Sequence, residues 1–144
     1  MTDNFREFDL GVKTFTKSVP TAVRDFRDAV ALEGLRGVVM LTPVDTGRAR
    51  ANWQTTVGAP ASGEREATDM SGRGETGVPV VHTVVEGAAT VATATDPFSS
   101  IWLHNGLSYI GYLNDGTDKI PAAHMLEQTV QRLVRTFSRW KGAK

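Results

Sequence analysis

The sequence predicts an α+β domain in which two long helices pack against a small, mostly antiparallel sheet, with a long polar loop between elements. Three observations carry this. Apolar residues recur at three and four over two separate stretches, 19–41 and 121–140; two short extended stretches adjoin turn signals, one with a period-two pattern after the 42–48 turn and one ending in Asn105-Gly106; and residues 59–79 lack the apolar content of a core segment. A length of 144 residues fits one domain spanning 1–144.

In the first helix, Val19, Ala22, Val23, Phe26, Ala29 and Val30 form one stripe, so a helix is expected over about 19–41, with Ser18 as its cap and Pro20 in its first turn. Residues 1–17 precede it as a flexible N-terminus. Gly34 and Gly37 lower helix propensity, and if buried they permit close approach of another backbone. Thr42 to Arg48 reads as a turn: Pro43 fixes one φ, Asp45 bonds locally, and Gly47 tolerates a left-handed conformation. Ala51–Gly58 reads as extended, with Trp53, Thr55 and Val57 on one side.

The long loop 59–79 is rich in glycine, proline and charge, and is expected to be mobile or to become ordered across a neighbouring copy. Val80, Val81, Val84, Val85, Ala88, Ala89 and Ala92 trace a helix over about 80–93, with a strand over 80–85 as the competing reading; Asp96-Pro97 stops it. Ser100–Asn105 is extended and ends in the Asn105-Gly106 turn signal. Tyr109, Ile110, Tyr112 and Leu113 form a compact apolar group. Pro121 opens the last helix, whose stripe runs Ala122, Met125, Leu126, Thr129, Val130, Leu133, Phe137 and Trp140. Trp53 and Trp102 are expected to anchor the core between sheet and helices.

Sixteen basic residues balance sixteen acidic ones, unevenly: residues 121–144 hold five basic residues against Glu127 alone, which makes the helix end 132–144 basic. Net neutrality argues against independent tight DNA binding. Arg48, Arg50, Arg132, Arg135, Arg139, Lys141 and Lys144 are the charges available for non-specific contact with DNA. The chain has no cysteine, hence no disulfide or thiolate site. It shows neither a signal peptide nor a spanning apolar run, and a soluble product with no membrane partner is expected.

No catalytic, cofactor-binding or metal-ligating residue is assigned, and no enzyme activity or cofactor is expected. Asp45-Thr46-Gly47 matches the tripeptide of aspartic proteases, whose mechanism requires two carboxylates sharing a proton. Arg48 after it and Pro43 before it favour a structural turn, with Asp45 paired to Arg48 or Arg50. His82, His104 and His124 lack metal-ligand spacing, and Ser71-Gly72-Arg73-Gly74 has no strand before it or helix after it to make a phosphate cradle.

Two blocks carry a likeness: Leu41–Trp53, containing Thr42-Pro43-Val44-Asp45-Thr46-Gly47-Arg48, and Ile101–Gly116 followed by Pro121-Ala122. In their order and separation they resemble the tail-component, tail-completion family of long-tailed bacteriophages, over about residues 20–137. Ala123-His124-Met125 departs from the glycine or aromatic many relatives place there. The resemblance implies a structural virion protein at the head-tail junction, or neck. It would complete or cap the tail tube and mediate its attachment to the capsid, acting as a homo-oligomeric ring, a hexamer by analogy. The implied partners are further copies, the tail tube or tail terminator protein, and head-tail connector or portal proteins. The implied location is the virion, and the host cytoplasm during assembly. The alternatives are a tail terminator that controls tube length and a DNA-contacting packaging accessory.

Overall fold

A computed structural model describes residues 2–72 and 81–140, with side chains in the first helix described at Lys13 and from Lys17 onward. The element order is α1 (Thr2–Leu41), α2 (Arg48–Ala51), β1 (Trp53–Val57), α3 (His82–Thr93), β2 (Ile101–Asn105), α4 (Ile110–Asp115) and α5 (Met125–Phe137). This is the α+β arrangement expected, with α1 and α5 as the two long helices.

The start of α1 is corrected from about 19 to Thr2, so the stretch foreseen as a flexible N-terminus is helical from Thr2, and Pro20 and Ser18 lie inside the helix rather than at its opening. Proline removes one backbone donor from such a position without forbidding the turns on either side. The long helix gains its hold on the domain from its second half, where Leu35 and Val39 are wholly buried and Val38 nearly so. Gly34 and Gly37 are the close-approach residues. A β-carbon on Gly37 would stand 2.8 Å from Thr129, and one on Gly34 3.3 Å from Leu103 and 3.6 Å from Leu133. Small residues here let α5 and β2 both seat against one face of α1.

β1 and β2 form a two-stranded antiparallel sheet, with Trp53 opposite Asn105, Thr55 opposite Leu103 and Val57 opposite Ile101. Side chains alternate across the sheet, so Trp53 and Leu103 share the face that meets α1. Trp53, with Leu35, Val38, Val39, Val81 and Met125, makes the core. Trp102 falls on the opposite face, and its expected role as a core anchor is corrected: it is 43% exposed. Its indole N–H donates to the Ser100 hydroxyl at 2.9 Å.

The competing strand over 80–85 gives way to α3. Thr83, Gly87 and Val91, four residues apart, are its buried positions. Helical spacing thus places the smallest residue, Gly87, against Leu35 and Thr55. The last helix begins at Met125, not at Pro121. Residues 123 and 124 are held instead against α4, Ala123 N–H donating to Leu113 O at 2.9 Å and His124 N–H to Asn114 O at 3.0 Å. His124 then turns the chain with φ 49°, and the Asn114 carboxamide oxygen accepts from Leu126 N–H at 3.0 Å, satisfying a first-turn donor.

Thr42 closes α1. Its hydroxyl donates to Val38 O at 2.6 Å and accepts from the Trp53 indole N–H at 2.8 Å. Trp53→Phe leaves both a lost hydrogen bond and a small void, and should lower stability by about 1–2 kcal/mol in chemical denaturation. An unchanged midpoint would show that the indole contributes shape alone.

Candidate interaction surface

The turn after α1 has a defined shape set by Gly47. It has φ 80° and ψ 4°, a left-handed conformation, and a β-carbon there would sit 2.5 Å from Asp69 O and 2.7 Å from Asp69 N. Two backbone donors converge on Gly47 O, Ala51 N–H at 3.0 Å and Asp69 N–H at 2.9 Å. The turn foreseen over 42–48 therefore ends in a single helical turn, α2, which takes Ala51 out of the extended segment foreseen from 51.

Across from this turn, Asn52 is fully buried. Its carboxamide nitrogen donates to Arg48 O at 2.8 Å and to Arg65 O at 3.2 Å, and its oxygen accepts from Arg65 N–H at 2.6 Å. Arg48 does not pair with Asp45. Its guanidinium meets Glu64 at 2.9 Å and Glu66 at 3.6 Å. Arg50, 8% exposed, donates to Ser71 O at 3.2 Å. The described part of the long loop is thus stitched to its own domain.

Asp69 is the centre of that stitching. It is 4% exposed. One carboxylate oxygen accepts from Ser71 N–H at 2.9 Å and from the Ser71 hydroxyl, and the other from Thr83 N–H at 2.8 Å and the Thr83 hydroxyl at 2.5 Å. Thr83 lies in the first turn of α3, where free N–H groups and the helix dipole favour a negative charge. Burial alone would raise the Asp69 pKa, but the donors from Ser71 and Thr83 outweigh it and hold the carboxyl at about 2, below its ordinary 3.8. The composition of 59–79 hid this residue. A carboxylate in a polar loop looks solvated unless its distant donors are known.

Pro43, Val44, Thr46 and Arg48 form one wall of a cavity of about 580 Å³, and Tyr109, Tyr112, Leu113 and Ile120 line the rest. Tyr112 is 64% exposed and Ile120 44%. The two blocks singled out in the sequence, Leu41–Trp53 and Ile101–Gly116, thus meet across one mostly apolar groove. A second apolar strip lies on α5. Met125 and Thr129 are buried toward α1, while Leu126, Val130 and Val134 at four-residue spacing face outward, 49%, 57% and 65% exposed. That helix is therefore apolar over a wider arc than its own domain covers.

Asp45 and Thr46 lie exposed on the rim of the groove. The three histidines are not brought together: His82 and His124 are exposed, and His104 is half-buried on β2. Among the described residues, no group of three or more His, Cys, Asp or Glu side chains is placed to hold a metal ion, and no helix is long and apolar enough to cross a membrane. Of the basic residues considered for DNA, Arg48 and Arg50 are engaged internally. Arg132 lies 3.9 Å from Glu33, Arg135 and Arg139 are exposed, and Lys141 and Lys144 lie outside the described residues. Comparison of the chain with family models, curated proteins and solved structures finds no match.

Proposed function

We propose that this chain is a structural protein of a tailed-bacteriophage particle, acting at the head-tail junction as one subunit of a ring that completes the tail tube and joins it to the capsid. The observation that carries the proposal is that the two blocks resembling the tail-completion family form the two walls of one groove rimmed by exposed tyrosines. Aromatic residues that combine apolar area with a polar end are common anchors of protein interfaces.

The exposed apolar strip of α5 supports the same reading from another side of the molecule. A closed ring requires two different surfaces on each copy, one meeting the other on the next copy. The groove and the α5 strip are two such surfaces. The loop 59–79, foreseen as the arm between copies, is less suited to that task in its described part, because Asp69 and Asn52 hold it to its own domain.

Tyr112→Asp tests the proposal. Its exposure predicts a thermal midpoint close to that of the parent protein, together with loss of ring formation in native mass spectrometry. Particles assembled with it should appear in electron microscopy as filled heads beside separate, full-length tails. Normal joined particles would reject the groove as the working surface, and over-long tubes would assign tail termination instead. A DNA-contacting accessory is the weaker alternative, since Arg48 and Arg50 are spent within the domain.

A further inference from the structure

Among the described residues, β2 has a strand partner on one side only. Gly58 N–H donates to Ser100 O at 2.8 Å, which sets the phase of the ladder. Thr56 and Trp102, then Gln54 and His104, are the pairs that exchange backbone hydrogen bonds. By the same alternation, the N–H and C=O groups of Ile101, Leu103 and Asn105 point away from β1. No third strand lies along that edge among the described residues. The strand Ile-Trp-Leu-His-Asn also lacks the proline, lysine or other charge that commonly protects an exposed edge.

Two cavities of about 390 Å³ each follow this edge. The first is walled by Phe26, Val30 and Leu133 beside Ile101 and Leu103, and the second by Ile110, Met125 and Leu126 beside Leu103 and Asn105. A strand edge thus runs along one side of the seam and apolar residues of α5 along the other. The seam is also polar in charge from end to end. Arg27 at the first end is neutralised by Asp28 at 2.8 Å and bonded to the carbonyls of Ala94, Asp96 and Ser99. Asp115 and Glu127 at the second end bond to the neutral Asn114 carboxamide, with His124 3.8 Å from Glu127.

We infer that this seam is a docking site for an extended segment of a partner polypeptide, which adds to β2 as a third, antiparallel strand. Outward backbone donors and acceptors at every second residue demand an extended backbone. The cavities take its alternate apolar side chains. Among the described residues no lysine or arginine is paired with the Asp115 and Glu127 carboxylates, so they select a lysine or arginine at the end beside Asn105, which in an antiparallel strand is the N-terminal end. Five residues of β2 span about 17 Å, so the bound core is about five residues long. The inference stands apart from the assignment to a phage particle, because its test needs only the isolated protein.

The probe is the acetylated, amidated peptide Lys-Val-Thr-Val-Thr-Val, labelled at its C-terminus and followed by fluorescence anisotropy. Saturable binding is expected, at least tenfold weaker for the peptide with Glu in place of Lys. It should be abolished for a peptide N-methylated at the residues whose N–H groups face β2. Ile101→Pro removes an outward donor and no bond to β1, so it should keep the parent's thermal midpoint to within a few degrees while weakening binding at least tenfold. Should that variant unfold, the N-methylated peptide carries the same test on the parent protein. Absence of saturable binding, or equal binding of the plain and N-methylated peptides, overturns the inference. So does self-association of the parent that Ile101→Pro abolishes without any peptide binding, which would make a second copy the occupant.

Discussion

Asp69→Ala is expected to cost about 3–4 kcal/mol, because it removes the single acceptor of four hydrogen bonds and leaves the Ser71 and Thr83 N–H groups without it. Hydrogen bonds to a charged group contribute more than neutral ones, and truncating one partner adds the desolvation cost of the groups left behind. Urea denaturation monitored by far-UV circular dichroism measures the loss, and a change below about 1 kcal/mol would mean that water replaces the carboxylate without penalty. The pH dependence supplies an independent check. The folded-state pKa is depressed from 3.8 to about 2, so the unfolded chain takes up the proton first as pH falls. The stabilisation is fully present above about pH 4 and is lost progressively as the pH drops through about 2. A shift of this size corresponds to about 2 kcal/mol. Asp69→Asn should therefore be the less stable protein at neutral pH, and its stability should fall less steeply than the parent's between about pH 4 and 2.

Gly47→Ala is expected to be comparably damaging, at about 3 kcal/mol, though its side chain is only one methyl group. The cost has two parts. A left-handed conformation costs a non-glycine residue about 1 kcal/mol. The new β-carbon would also stand 2.5 Å from the carbonyl oxygen of Asp69. That obstacle is backbone and cannot rotate aside, so the loop must move and carry the Asp69 carboxylate away from Thr83. The two substitutions should therefore be coupled: in Gly47→Ala/Asp69→Ala the combined loss should fall short of the sum of the single losses by about 1 kcal/mol or more. Strict additivity, measured by denaturation of all four proteins, would show that turn and carboxylate act separately. The displacement would also reshape the groove, since Gly47 lies in its wall.

Periodicity made most of the architecture legible. The stripe from Val19 to Val30, the Trp53–Val57 alternation, the Asn105-Gly106 stop and the Ala122–Trp140 stripe each report local geometry, and each falls on an element of the fold, although α1 begins at Thr2, well before the expected start near 19. Boundaries were less legible where a tertiary bond competes with a local signal. Pro121 is a good first-turn residue, yet Asn114 captures the chain at 123–126 and delays α5 to Met125. Trp102 shows the same limit in a strand. Alternation says that neighbours face opposite ways, but which face meets α1 is decided by the contact of Leu103 with Gly34.

For the candidate surface, the sequence by itself determined its ingredients: the turn at Gly47, the tyrosines of 109–112, and the apolar stripe of the last helix, whose uncovered part at Leu126, Val130 and Val134 appears only in the structure. Only the tertiary structure decided that the turn and the tyrosines share a groove, that Arg50 is buried and Arg48 is held by Glu64 and Glu66, and that Asp69 belongs to the interior. The physical reason is range. Backbone propensity and amphipathic spacing act over a few residues and are written in the order of side chains. Beside their near neighbours Ser71 and Arg48, Asp69 and Asn52 bond to Thr83 and Arg65, and Arg50 bonds to Ser71, partners 13 to 21 residues away, and nothing in local order selects these until burial has withdrawn water as the competing partner.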